Sequence, residues 1–128
     1  MFKRTISYED FDGNQVTEVL LFNLSNPELM TLQASYPEGY AKHLESALEA
    51  NDKKEVVKTL QDLILNSYGE KSSDGRRFIK SEEAKVNFEQ SAAYDALFTE
   101  MLVDKTGQKA IDFVNALFAN VPKVPAAE

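Results

Sequence analysis

The chain has no cysteine and no tryptophan, and its 128 residues hold one histidine, five glycines and four prolines. Without cysteine there is no disulfide framework, no thiolate zinc site and no cysteine nucleophile, and nothing points to an oxidising compartment. The expectation is an intracellular protein in a reducing cytoplasm. Long hydrophobic runs are also missing. Val19 to Phe22 is typical of the longest, against roughly 20 apolar residues needed to cross a bilayer, so no membrane protein is expected. Met1-Phe2-Lys3-Arg4-Thr5-Ile6 is followed by polar residues from Ser7 to Asp10, a pattern without the apolar stretch of a signal peptide. The glycines stand singly and not as GxGxxG or GxxxxGK[ST], so no phosphate-cradling loop is expected. Positive charge is scarce, with 14 Lys and Arg against 21 Asp and Glu and a net charge of −7. That balance repels phosphate backbones at long range, disfavours general nucleic-acid binding and favours solubility.

What is present fits a single α+β domain, mostly α, with an N-terminal β-hairpin packed on five to six helices. The expected domain spans residues 1–121, with the hairpin at 2–23 and the helical part at 25–121, followed by a flexible tail at 122–128. Residues Phe2 to Glu9 alternate, with Phe2, Ile6 and Tyr8 on one face and Lys3, Thr5, Ser7 and Glu9 on the other; Arg4 is the exception on the apolar side. Asp12-Gly13-Asn14 supplies residues that tolerate positive φ, and Val16 to Phe22 completes a hairpin. The second strand has Val16, Leu20 and Phe22 on one face and Val19 and Leu21 on the other, which implies some cover on both sides. A hairpin alone is marginal in water, so helices or a partner strand must pack on it.

Helix starts are marked by caps. Ser25-Asn26-Pro27-Glu28 combines a capping box with a first-turn proline, Asp52-Lys53-Lys54-Glu55 repeats the capping logic, and Ser81 precedes two glutamates. The resulting helices run from Ser25 to about Gln33, from Tyr40 to Asn51, and from Asp52 to a C-terminal cap at Gly69, where a left-handed glycine is expected. Residues 70–80 read as a loop with a bridge-like strand at Arg76 to Lys80. A fourth helix starts at Ser81, a fifth follows Ser91, and a sixth spans about Gln108 to Asn120. In the fifth, Tyr94, Leu97, Phe98, Met101 and Leu102 share one face and should be core. In the sixth, Ala110, Phe113, Val114, Leu117 and Phe118 form a stripe that Ile111 widens beyond a single contact.

Residue chemistry points away from catalysis. His43 stands alone without an identifiable Ser, Asp or Glu partner for a general base or a metal site. The acidic pairs Glu9-Asp10 and Glu82-Glu83 point their side chains apart, and helix-cap charge accounts for the second. Asp74-Gly75 lacks the ligand spacing of a calcium loop. No enzyme, cofactor or metal is expected. Two features suit binding. Lys71, Arg76, Arg77 and Lys80 flank Phe78 as a small cationic patch, which is either a solvated loop anchored by Phe78 and Ile79, a surface for an acidic partner, or a minimal nucleic-acid patch. The apolar width of the last helix is either core packing or a partner groove that includes self-association, with Phe113, Leu117 and Phe118 as its residues.

A long ordered pattern then carries a resemblance. Ser67-Tyr68-Gly69, Lys71-Ser72-Ser73-Asp74-Gly75 and Arg77-Phe78-Ile79-Lys80-Ser81 follow one another, flanked by Phe22-Asn23-Leu24-Ser25 upstream and Phe88-Glu89-Gln90-Ser91-Ala92-Ala93-Tyr94 downstream. The chain thereby resembles the tail assembly chaperones of long-tailed bacteriophages over most of residues 5 to 120. The resemblance implies a nonvirion protein in the cytoplasm of the infected bacterium that binds the tape measure protein, keeps it soluble and helps recruit tail tube subunits. It also implies the short member of a pair whose longer form arises by frameshifting. Within the matching segment Gly69 and Gly75 are assigned to backbone turns, Tyr68, Phe78 and Ile79 to packing, and Arg76, Arg77 and Lys80 to an exposed contact; Phe113, Leu117 and Phe118 are assigned to an oligomer or tape measure contact. The other readings are a small structural tail or connector subunit of the virion and a small nucleic-acid-binding regulatory domain.

Overall fold

The computed structural model describes residues 1–122, so the expected tail lies outside the described residues apart from Pro122. Strands β1 (Phe2–Glu9) and β2 (Gln15–Phe22) form the expected antiparallel hairpin, with Phe2 opposite Phe22 and Ile6 opposite Glu18. Its loop is built by Asp10. The Asp10 amide donates to the Asn14 carbonyl at 2.9 Å, and Asp10 Oδ1 accepts from the amides of Asp12 and Asn14. Among the loop residues only Gly13 takes positive φ, at +82°. Ile6, Leu20 and Phe22 are buried on one face. The cover expected on both faces of β2 is partial: on the second face Leu21 is half-buried, but Val19 is 55% exposed. Arg4, the odd residue on the apolar face, is neutralised there by Glu100.

Six helices follow among the described residues: α1 (Asn26–Ser35), α2 (Tyr40–Glu49), α3 (Lys53–Ser67), α4 (Glu82–Glu89), α5 (Ala92–Leu102) and α6 (Gln108–Phe118). Ser25 and Ser81 cap as the sequence implies, each accepting an amide three residues on, and Ser91 caps α5 in the same way. Ser25 and Glu28 complete a reciprocal capping box. At Asp52 only half the box forms. Its carboxylate accepts from the Glu55 amide at 3.2 Å, while the Glu55 carboxylate turns to His43.

Phe22 is the hub of the core. Fully buried, it has the rings of Phe113 at 5.1 Å, Tyr68 at 6.0 Å, Phe88 at 6.2 Å and Phe2 at 6.3 Å around it. This cluster joins the hairpin to α4 and α6, and each fully buried aromatic or leucine contributes about 1.5–3 kcal/mol. Leu44 of α2, Leu60, Leu63 and Ile64 of α3, Leu97 and Met101 of α5, and Val114 of α6 continue the same interior. On α5 the expected five-residue core face is narrower. Leu97 and Met101 are buried, but Tyr94, Phe98 and Leu102 are only half-buried, because Ala93 takes the innermost place in the first turn.

Residues 67–80 depart most from expectation. Helix α3 stops at Ser67 and Tyr68 is already extended, so Gly69 is not a left-handed cap. Instead Asn23 donates to the Ser67 carbonyl at 2.8 Å, Gly69 donates to the Leu21 carbonyl at 3.3 Å, and Tyr68 bridges to Phe22. The chain leaving α3 thus adds to the edge of β2 before forming a second small hairpin, β3 (Glu70–Lys71) and β4 (Phe78–Ile79).

Candidate partner-binding surfaces

The β3–β4 hairpin is a finger whose tip is held by its own side chains. Lys71 lies opposite Phe78, and the Ser72 amide donates to the Arg77 carbonyl at 2.9 Å. Ser72 Oγ donates to Asp74 Oδ1 at 2.7 Å and accepts from the Arg77 amide at 3.0 Å, while Asp74 Oδ1 also accepts from the Arg76 amide. Gly75 turns the chain at φ +72°. These bonds, the Ser72 hydroxyl foremost, hold the Asp74 carboxyl below its ordinary value of 3.8. The Ser-x-Asp-Gly signature is therefore the frame of a turn, which presents Arg76 and Arg77 exposed and without an ion-pair partner among the described residues.

Lys80 does not join them. Its ammonium donates to the Asn23 carbonyl at 3.1 Å and to Glu28, so it ties the end of β4 to the end of β2 and the start of α1. Burial works to raise the Glu28 carboxyl, but the hydrogen bonds from Lys80 and the Ser25 amide outweigh it and leave Glu28 below its ordinary value.

The stripe on α6 points inward. Phe113 is 2% exposed and meets both Phe22 and Phe2 edge-on, Leu117 is 8% exposed, and Phe118 is half-buried with its ring stacked on Tyr40 at 5.5 Å. These three residues line the core of this fold and form no exposed patch with Arg76 and Arg77.

Two open grooves, one mixed and one mainly apolar, went unseen in the sequence. One, of about 520 Å³, runs between α1, the end of α3 and the start of α4 and is mixed in character, with Leu24, Leu32, Leu65 and Tyr68 in it and Glu28, Lys80, Glu82 and Lys85 along it. The other, of about 360 Å³, lies where the ends of α2, α3, α5 and α6 meet, and is lined by Leu48, Val56, Val57, Leu102 and Ala110 with Lys53 and Lys105 at hand. Val57 on its wall is exposed, and so is Val103, which lies between the lining residues Leu102 and Asp104 in sequence. Each groove draws on several elements that only tertiary folding brings together. His43 bonds Glu55 at 2.9 Å, and that bond lowers the Glu55 carboxyl from its ordinary value. Among the described residues no three His, Cys, Asp or Glu side chains come together as a metal site, and no helix is long and apolar enough to cross a membrane.

The architecture is that of a small, mostly helical α+β domain whose notable surfaces are a cationic finger and two open grooves, one of them mainly apolar. The chain belongs to the phage tail assembly chaperone family, whose pattern it matches over residues 1–123. No curated protein and no solved structure matches it.

Proposed function

We propose that the chain acts by binding, not catalysis: it holds the tape measure protein during tail assembly, keeps it soluble and helps to recruit tail tube subunits around it. The observation that carries this reading is membership of the tail assembly chaperone family along nearly the whole chain. The physics supports it. A long helical partner with apolar stripes needs a soluble cover, and a domain of net charge −7 with an open apolar groove supplies both the cover and the repulsion that keeps complexes dispersed. The groove beside Val57 and Val103 offers the apolar contact, and Arg76 and Arg77 on the finger offer charge to acidic side chains of a partner. The work takes place in the cytoplasm of the infected bacterium, and the protein leaves before the virion matures.

Co-expression with the tape measure protein encoded nearby tests this. The partner should become soluble and co-purify, and Val57→Glu with Val103→Glu should lose it without unfolding the chain, since both side chains are exposed. A tape measure protein that stays insoluble and unbound, together with retention of this chain in purified particles, would replace the chaperone role with that of a virion component.

A further inference from the structure

The groove where α2, α3, α5 and α6 meet differs in charge from the rest of this acidic chain. Its walls are apolar, with Leu48, Val57 and Leu102 among them, and its charged lining residues are Lys53, Lys105 and Asp104. The aspartate is engaged within the chain, since its carboxylate accepts from the Thr106 amide and hydroxyl and from the Lys109 amide. Both lysines are exposed, and neither has an ion-pair partner among the described residues. With 21 acidic residues against 14 basic ones in the chain, two free ammonium groups beside one apolar groove give it a locally positive rim.

Lys53 also stands where a cation is disfavoured. It opens α3 and Lys54 follows it, at the positive end of the helix dipole, where acids stabilise and lysines do not. The two nearby acids are turned elsewhere: the Asp52 carboxylate caps the Glu55 amide, and the Glu55 carboxylate bonds His43. A carboxylate from outside the chain would compensate Lys53 as no ion pair among the described residues does. The shape of the occupant follows from the lining, which comes from helices and the loop before α6 and presents no strand edge. An occupant must therefore satisfy its own amides and carbonyls, as a helix does, and about 360 Å³ accepts a few apolar side chains from one helix face.

We propose that this groove takes an amphipathic helix of the tape measure protein whose apolar stripe is flanked by Asp or Glu. Apolar side chains at i, i+3 or i+4, and i+7 enter between Val57 and Leu102, and the flanking carboxylates meet Lys53 and Lys105. The inference rests on the tape measure reading above and adds to it the site and the sign of the partner's charge.

Co-expression with the tape measure protein, with photoreactive benzoylphenylalanine in place of Val57, tests it. Crosslinks should map to a tape measure segment with that apolar spacing and acidic flanks. Lys53→Glu combined with Lys105→Glu should weaken binding about tenfold, while Lys53→Arg combined with Lys105→Arg should keep it. The loss would not report unfolding, because Lys53→Glu places an acid at a helix N-terminus and should leave the melting temperature of the free chain at or above that of the wild type. A tape measure protein held as tightly by the double reversal as by the wild type, or crosslinks that fall on a basic segment or on a second copy of this chain, would overturn the inference and leave the chaperone reading standing. A tape measure protein bound by neither wild type nor variant would overturn both.

Discussion

Gly69 lies so close to the Phe78 ring that a Cβ on it would sit 2.6 Å from Phe78 Cε2 and equally near the Ile79 carbonyl oxygen. The glycine is needed for close approach, where the chain leaving α3 passes under β4, and not for a left-handed turn. Because one of the obstructing atoms is backbone, Gly69→Ala should destabilise the fold by about 1–3 kcal/mol. Gly75→Ala meets no atom within 4 Å and suffers only the positive φ, about 1–2 kcal/mol. Urea unfolding midpoints of the two variants check this; in Gly69→Ala the loss should be accompanied by altered shifts around Phe78 and Lys80.

Arg4 and Glu100 couple β1 to α5 at a half-exposed site, with Lys109 also 3.8 Å from Glu100. Solvent screening keeps the pair's worth to about 1 kcal/mol. Glu100→Ala should cost at least that, because it strands a guanidinium on the apolar face, while Arg4→Met combined with Glu100→Met should come close to the wild type. A double-mutant cycle in urea measures the difference.

Phe113→Ala should cost about 3–5 kcal/mol, a large share of a typical domain's stability of about 5–15 kcal/mol. Loss of any partner by polar variants of Phe113 or Leu117 would therefore report unfolding and not a missing contact. Thermal melts followed by circular dichroism should show the loss in the free protein, before a partner is added.

Acid should loosen the finger before it melts the core. The Asp74 carboxyl is depressed below 3.8 by the Ser72 hydroxyl and the Arg76 amide, so its contribution is fully present above that ordinary value. It is lost as pH falls from 3.8 through the lower folded value. The amide resonances of Arg76 and Arg77 should shift across that acidic window in NMR titrations, and Asp74→Asn, which keeps an acceptor oxygen but does not titrate, should flatten the response.

Much of the local structure was legible because its causes are local. Ser25, Ser81 and Ser91 sit within three residues of the amides they cap, alternation along β1 reports its one buried face, and Asp74-Gly75 marks a turn wherever the chain goes. The candidate contact residues were less legible. Arg76 and Arg77 are exposed as their polarity suggests, but nothing in sequence separates them from Lys80, whose partners are 57 and 52 residues away at Asn23 and Glu28. An apolar stripe such as that of Phe113, Leu117 and Phe118 reads alike whether its cover is its own chain or another protein, and Phe22 and Phe2 supply that cover only after the hairpin docks.

By itself the sequence determined the hairpin, the helix starts, the acidic balance and the ordered motif that places the chain in its family, because propensity, capping and charge act over a few residues. Tertiary structure alone decided that Gly69 serves close packing, that Phe22 gathers four rings around it and that four helix ends line a groove. Those outcomes depend on which distant segments share space, a choice made by the packing of the whole core and not by any stretch of chain on its own.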